Sequence, residues 1–316
     1  MPQSVQLSLL FALAAALAVP AASAEETKPA ANAAAHTGAN FQPPSEADIP
    51  AGEFGDMVRL GRDIMRNTPK YAARFVGNQL SCANCHLDAG RMAGSAPLWA
   101  AYVSYPAYRA KNRKVNTYQE RLQGCFRFSM NGEPPPLGDP VLVALEAYSF
   151  WLATGLPVGK EAVGRGYTDL QMPAQAPDYS RGEAVYKARC ALCHGEDGAG
   201  RRAAGRTAFP ALWGDQSYNW GAGMGSIKNA AEFIYANMPL GLSYSLSAQQ
   251  AWDVAYFMNA HERPQDPRWL GGVAATRAKF HDSEYSLYGL SVRGRVLGDT
   301  GAPKRRSGKD EALLNE

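Results

Sequence analysis

The pattern C-x-x-C-H occurs twice in this chain, and it constrains the fold more than any other feature. The first copy covers residues 82–86 (CANCH) and the second covers residues 190–194 (CALCH). In this pattern two thiols bond to the vinyl groups of a porphyrin, and the adjacent imidazole becomes an axial iron ligand. Two copies therefore predict two covalently bound haem c groups. The residues expected to attach them are Cys82, Cys85 and His86 for haem 1, and Cys190, Cys193 and His194 for haem 2.

The composition and the first residues indicate an exported globular protein. The chain has 316 residues, 46% hydrophobic and 19% charged, and its net charge of +3 indicates no nucleic-acid partner. An apolar run at residues 7–20 and an A-x-A site at residues 22–24 predict a signal peptide over residues 1–24. The run is shorter than the about 20 residues that cross a bilayer. We expect a periplasmic protein with no stable membrane anchor; an uncleaved anchor is the alternative, because residues 1–6 contain no Lys or Arg.

Two amphipathic helices are predicted around the first pattern. One covers about residues 52–68 and ends at Pro69, and the other has Asp139 as its N-cap, Pro140 in its first turn and Gly155 as its stop. Their apolar stripes are expected to face the core. These stripes are Phe54, Met57, Leu60 and Ile64 on the first helix, and Leu142, Leu145, Tyr148 and Leu152 on the second.

Two helices are also predicted around the second pattern. Ser180 is predicted to cap a helix that carries Val185 and Tyr186, and Ser247 with Gln250 predicts a capping box at the start of a closing helix. The order of helix, haem motif, long loop and closing helix is that of class I cytochrome c, and it occurs twice. The predicted fold is therefore all-α, with two class I cytochrome c domains in tandem, each with one covalent haem c.

Composition suggests the limits of these domains. After the signal peptide we expect a flexible leader at residues 25–45, domain 1 at residues 46–160, a proline-containing linker at residues 161–177 and domain 2 at residues 178–265. Residues 266–316 are expected to form a C-terminal extension that wraps over the surface and frays at its charged end.

Sulfur side chains supply candidates for the distal iron ligands. Haem attachment leaves Cys125 unpaired, which makes it either a small buried hydrophobe or a thiolate ligand to haem 1. Met130 is a competing ligand, whereas Met92 follows His86 too closely to reach the opposite face. For haem 2, Met238 is the candidate and Met224 the competitor. A Met/His pair raises the iron potential relative to a thiolate, so electrons should run from haem 1 to haem 2.

Basic residues cluster around Cys125. A solvated face is the default interpretation for Lys111 and Lys114, but nearby cations also favour a thiolate and concentrate small anions. The cluster comprises Arg109, Lys111, Arg113, Lys114, Arg121 and Arg127, against the single acid Glu120.

These segments resemble the thiosulfate dehydrogenase family of periplasmic dihaem cytochromes. The resemblance spans residues 52–264 and rests on residues 124–132 (GCFRFSMNG), 209–214 (FPALWG), 221–224 (GAGM) and 237–241 (NMPLG). Some members have Lys before the haem 2 methionine and exchange ligands; here that position is Asn237.

The resemblance implies roles for individual residues. Haem 1, the catalytic haem, would have His86 and Cys125 as its iron ligands, and haem 2, the exit haem, would have His194 and Met238. Arg121 and Ser129 would help to line the substrate site, and Arg113 is a weaker transfer because the match there runs through a loop.

The implied reaction joins two thiosulfate ions into tetrathionate and releases two electrons. Cys125 would either tune the iron as its ligand or transiently accept a sulfane sulfur. A small periplasmic acceptor, such as a cytochrome c or an iron-sulfur protein, would dock over haem 2. The alternatives are a tetrathionate reductase that runs the reverse reaction and a non-catalytic electron-transfer cytochrome with two Met/His haems.

Overall fold

The structure is a computed structural model that describes Met1, residues 41–203 and residues 206–303. The predicted signal peptide, most of the predicted leader and the charged end at residues 304–316 lie outside the described residues. Within the described ranges, no helix combines the length and the apolar character needed to cross a membrane.

Helices dominate the described chain, and its strands form short antiparallel hairpins. The first unit contains α1 (Glu53–Arg66), α2 (Thr68–Tyr71), α3 (Leu87–Gly90), α4 (Leu98–Tyr102), α5 (Tyr118–Gly124) and α6 (Pro140–Leu152), with a π-helix (Cys125–Ser129) directly after α5. The second unit contains α7 (Tyr179–Arg189), α8 (Ala191–His194), α9 (Ile227–Asn237) and α10 (Ala248–Asn259). Then follows α11 (Val273–Phe280). The hairpins pair β1 (Ala107–Arg109) with β2 (Lys114–Asn116), β3 (Arg201–Ala203) with β4 (Arg206–Phe209), and β5 (Ser291–Val292) with β6 (Arg295–Val296).

Helices α1 and α6 pack across each other in the first unit. The predicted start of α6 is confirmed: Asp139 Oδ1 accepts from the Val141 amide at 2.9 Å, and Pro140 occupies the first position. All four predicted core residues of α6 are buried. The buried face of α1 is rotated from the prediction. Phe54 is 45% exposed and Met57 and Leu60 are only partly buried, whereas Val58, Gly61, Ile64 and Met65 face the core.

Helices α7 and α10 repeat this crossing in the second unit, and α9 packs against α10. The capping box of Ser247 and Gln250 is confirmed at the start of α10. The prediction that Ser180 caps α7 is wrong, because Asp178 is the N-cap and accepts from the Arg181 amide at 2.8 Å. Asp253 on α10 accepts from the Asp178 amide, and this contact between the two helices places Asp178 at the cap.

A glycine allows each pair of helices to pack closely. A Cβ added at Gly61 would lie 2.1 Å from Ala144 O, and one added at Gly182 would lie 2.1 Å from Asp253 O. We expect Gly61→Ala and Gly182→Ala each to lower the free energy of unfolding by about 1–3 kcal/mol, because the helices must separate to admit the methyl group.

Thermal unfolding of the haem-loaded protein, followed by far-ultraviolet circular dichroism, measures this effect. Gly124→Ala in α5 is the matched control, because beyond its chain neighbours and its own helix backbone the nearest atom to the added Cβ is Arg121 Nη1 at 3.9 Å, an ordinary contact distance. A control variant that loses as much stability as the two helix variants would contradict the explanation.

The two units pack against each other, and both the linker and the extension contact them. Tyr218 and Ala222 belong to the core of the first unit, although they follow the second haem motif. Residues 161–177 contain no helix or strand, and one isolated β-bridge joins Tyr167 to Ser95. The extension does more than wrap over the surface, since its apolar residues enter the core of the second unit. These residues are Leu287, Tyr288 and Leu297.

Candidate functional site

The first C-x-x-C-H segment is held by hydrogen bonds to its surroundings. The Cys82 amide donates to Thr68 Oγ1 at 3.0 Å. His86 Nδ1 lies 2.6 Å from Ala96 O, and because a carbonyl oxygen only accepts, Nδ1 carries a proton and Nε2 is left to bind a metal. Burial lowers the pKa of His86 and so favours the neutral imidazole, which is the form that ligates iron.

A pocket lies beside this segment, lined by both of its cysteines and by His86. Its polar atoms come from a few side chains, and the remaining walls are apolar, as is usual for cofactor sites. Two thiols, one imidazole with a free Nε2 and a third thiol in apolar surroundings fit a covalently attached haem. The thiol, imidazole and other polar side chains include Cys82, Cys85, His86, Arg121, Cys125 and Ser129, and the apolar walls include Leu80, Leu98, Leu122, Phe126, Leu145 and Tyr218.

Cys125 begins the π-helix that follows α5. Its Sγ lies 2.9 Å from Arg121 Nη1, one turn earlier on the same helical stretch. The pKa of Arg121 is raised, mainly by its interaction with Cys125, so the guanidinium stays charged beside the sulfur. The pair combines a sulfur ligand candidate with a fixed positive charge inside one pocket.

The structure separates the methionine candidates. Met92 is 43% exposed and is not among the pocket residues, whereas Met130 is buried and lines the pocket with Cys125. Met224, considered above as a haem 2 ligand, lies in the wall of the first pocket instead. Met238 packs against the core of the second unit, where the second haem motif also lies. The two methionine candidates for haem 2 thus lie in different parts of the structure.

The basic residues near Cys125 have different surroundings. Arg109, on β1, lies near Arg121 and Cys125, and its pKa is lowered by burial and then by the charge of Arg121. Arg113 lies in the turn between β1 and β2, where it has a φ of 55°, and it is exposed and absent from the pocket wall. The side chain of Arg127 is also exposed. Of the three arginines that surround Arg121 in sequence, Arg109 is the one that lies near the pocket.

The two lysines of the hairpin also differ. Lys114 is on the solvated face, as expected, and pairs with Glu120 at 2.7 Å. Lys111 is exposed as a residue, as expected, but its ammonium group is not free in solvent: Nζ donates to Gly221 O at 2.6 Å and lies 4.1 Å from the centre of the Phe128 ring. Desolvation of this ammonium group, and then the charges of Arg268 and Arg121, lower its pKa to about 7.

The second C-x-x-C-H segment has the same histidine geometry. His194 Nδ1 lies 2.9 Å from Pro210 O, so Nε2 is again the nitrogen available to a metal. Burial lowers the pKa of His194. Asn237, at the position that is Lys in some members of the resembled family, is buried and donates from its amide to Phe233 O at 2.9 Å. This bond keeps Asn237 within its own helix.

Two buried asparagines near the π-helix were not identified from the sequence. Asn78 donates to Ser129 O at 2.9 Å, and Asn219 of the second unit donates to Arg127 O at 2.9 Å. The sequence contains no local signal for these contacts, because each joins positions far apart in the chain.

Comparison with known proteins identifies both units as cytochrome c domains. Residues 70–158 match the family described as SoxA/TsdA, cytochrome c domain, and residues 167–258 match the family described as cytochrome C oxidase, cbb3-type, subunit III. A thiosulfate dehydrogenase of Thiomonas intermedia (strain K12) is 67% identical over 298 residues, which cover 94% of this chain and 95% of the relative. The thiosulfate dehydrogenase of Stutzerimonas stutzeri (strain A1501) is 54% identical over 260 residues, covering 82% and 85%.

A solved structure is also similar. It is the thiosulfate dehydrogenase (TsdBA) from Marichromatium purpuratum in its "as isolated" form, with a TM-score of 0.80 and 53% sequence identity. The match covers 83% of this chain but only 58% of that longer chain.

Proposed function

The chain belongs to the thiosulfate dehydrogenase family, and from this premise we propose that it joins two thiosulfate ions into tetrathionate and passes two electrons through haem 1 and haem 2 to an external acceptor. Thiosulfate oxidation by a c-type cytochrome follows from the family itself. The tetrathionate product and the path of the electrons are the proposed part.

The proposal assigns one covalent haem c to each domain. Each haem, when bound, supplies an iron that takes up one electron at a time. The residues of this chain would hold each haem through two thiols, one imidazole and one further sulfur. For haem 1 these residues are Cys82, Cys85, His86 and Cys125, and for haem 2 they are Cys190, Cys193, His194 and Met238. A thiolate on the first iron and a thioether on the second would favour electron transfer from haem 1 to haem 2.

The contact between Arg121 and Cys125 is the observation that carries the proposal. The Arg121 guanidinium is 2.9 Å from the Cys125 sulfur, in the pocket that also contains His86. Thiosulfate is a dianion, and two unit charges about 4 Å apart repel by about 4 kcal/mol at an effective dielectric constant of 20. Two thiosulfate ions repel each other more strongly, because each carries two negative charges. The Arg121 guanidinium offsets part of this repulsion. Ser129, in the same pocket, offers a hydroxyl to the oxyanion.

The reaction needs no proton transfer from the protein. A bond forms between the outer sulfur atoms of two thiosulfate ions, and each ion gives up one electron. The product is one tetrathionate dianion and two electrons, so atoms and charge balance without an acid or a base. The residues of the pocket therefore have to bind, orient and partly desolvate two anions. Arg113 is exposed outside this pocket, and the proposal gives it no role.

The proposal places electron exit at haem 2. Leucines are exposed in both segments that would hold this haem: Leu192 within the second motif is 83% exposed, and Leu240, two residues after Met238, is 67% exposed. Exposed apolar side chains are typical of surfaces that bind a partner. We propose a small periplasmic acceptor here, a cytochrome c or an iron-sulfur protein. Residues 1–24 would be the signal peptide that directs export.

Assay of the purified, oxidised holoenzyme with thiosulfate and ferricyanide tests the proposal. We expect one tetrathionate for every two ferricyanide ions reduced. Sulfate or sulfite as the product would contradict it. If neither haem is reduced by thiosulfate, the reverse assay with tetrathionate and a reduced dye separates a reductase from an electron-transfer cytochrome.

A further inference from the structure

The π-helix that carries Cys125 ends abruptly and leaves its last carbonyl groups without partners inside the helix. The amides of Met130 and Gly132 pair with Cys125 O and Phe126 O at 3.0 and 2.9 Å. Asn131 then takes a φ of 46°, so the helix cannot continue. The carbonyls of the next three residues must be satisfied from elsewhere. These residues are Arg127, Phe128 and Ser129.

Asn219, from the second unit, satisfies two of these three carbonyls. Its side-chain Nδ2 donates to Arg127 O at 2.9 Å, and its backbone amide donates to Phe128 O at 3.2 Å. The same Nδ2 also donates to Asn131 Oδ1 at 3.0 Å. Asn219 is 1% exposed, so water cannot replace these bonds.

The loop that carries Asn219 is itself held against the π-helix. Asn219 Oδ1 accepts from the Gly221 amide at 3.0 Å, and Gly221 O accepts from Lys111 Nζ. Gly221 also packs directly on Phe128, since an added Cβ would lie 2.5 Å from that ring. On the C-terminal extension, the Arg268 guanidinium lies 4.9 Å from the centre of the same ring. The second unit and the extension thus fix the segment of the first unit that presents Cys125.

From these contacts we propose that Asn219 is a positioning residue for the reaction: it holds the π-helix so that the Cys125 sulfur keeps its place beside Arg121 in the haem 1 pocket. This inference rests on the proposed role of Cys125. Groups that orient a metal ligand typically change affinity or activity by 10–100-fold when removed. A misplacement of about 1 Å at a reacting centre has a similar effect. The second domain, besides carrying the exit haem, therefore sets the geometry of the first haem site.

Three variants of the full-length holoenzyme test this proposal. Asn219→Ala removes the side-chain bonds to the π-helix. Asn219→Asp keeps an acceptor for the Gly221 amide but cannot donate to Arg127 O. Asn229→Ala is the matched control, because Asn229 Nδ2 also donates to a loop carbonyl, Gly223 O at 2.9 Å, at an exposed site. If Asn219→Ala does not fold, Asn131→Gly removes one partner of Asn219 and retains a residue suited to a positive φ.

Electron paramagnetic resonance of the oxidised enzyme reports the iron ligand at haem 1, and steady-state assays report kcat and KM separately. We expect both Asn219 variants to shift or split the thiolate-type haem 1 signal and to lower kcat by about 10–100-fold, with two haems still attached. Asn229→Ala should match the wild type. Lower thermal stability with an unchanged haem 1 signal and unchanged kcat would show a merely structural role and overturn the proposal. If the wild type forms no tetrathionate, the proposed function fails, while the haem 1 signal still tests the positioning.

Discussion

Replacement of Cys125 by alanine is expected to lower thiosulfate oxidation by roughly 10³-fold or more, the scale of loss when a group at a reacting centre is removed. The alanine methyl group can neither ligate iron nor accept the hydrogen bond that Arg121 now gives to the sulfur at 2.9 Å. Both haems should stay attached, because attachment uses Cys82 and Cys85 in the first motif and the matching cysteines in the second. Turnover with ferricyanide measures the loss, and the pyridine haemochrome spectrum counts the haems.

Met130→Leu is the matched control for this variant. Met130 is buried and lines the same pocket, so the substitution removes a second sulfur at nearly constant volume. We expect it to keep most of the activity and the thiolate-type haem 1 signal. If Met130→Leu loses activity and Cys125→Ala retains it, the thioether would be the distal ligand and the assignment of Cys125 would be wrong.

Local signals in the sequence predicted the elements that depend on neighbouring residues. The haem motifs, the N-cap at Asp139 and the capping box at Ser247 each involve a few consecutive positions, and the structure has both caps where they were predicted. The face of α6 was also correct, since its apolar stripe is continuous. The predicted start of α7 was wrong. Asp178 and Ser180 are both good capping residues, and the contact between Asp178 and Asp253 decides between them.

The site itself was only partly predictable. A basic run beside a lone cysteine indicated an anion site, but periodicity does not show which cation faces the pocket. The structure brings Arg121 to the sulfur and leaves Arg113 exposed in a turn. The contacts of Lys111 and Asn219 were not predicted because they join different units, and such contacts have no signature within either segment. The buried face of α1 was mispredicted for the same reason, because α1 crosses α6 at Gly61 and α6 lies far along the chain.

Arg121→Gln is expected to lower kcat/KM for thiosulfate by about 10²–10³-fold, the usual effect of removing a preorganised group that stabilises charge at a reacting centre. Glutamine retains a hydrogen-bond donor but has no charge to offset the repulsion between two dianions. Arg121→Lys should recover part of the activity, because the charge remains while the planar fork of donors is lost. Steady-state kinetics over a range of thiosulfate concentrations measure both variants.

Arg127→Gln separates this local effect from the general influence of positive charge. Arg127 lies two residues from Cys125, on the same helical stretch, but its side chain is exposed. A charge in water is screened within about 8 Å at physiological ionic strength, so its removal should change kcat/KM by less than about threefold. Equal losses in the Arg121 and Arg127 variants would mean that net charge, rather than the Arg121–Cys125 contact, attracts the substrate. A large loss confined to Arg121 would place the anions in the pocket beside the Cys125 sulfur, where their outer sulfur atoms can meet.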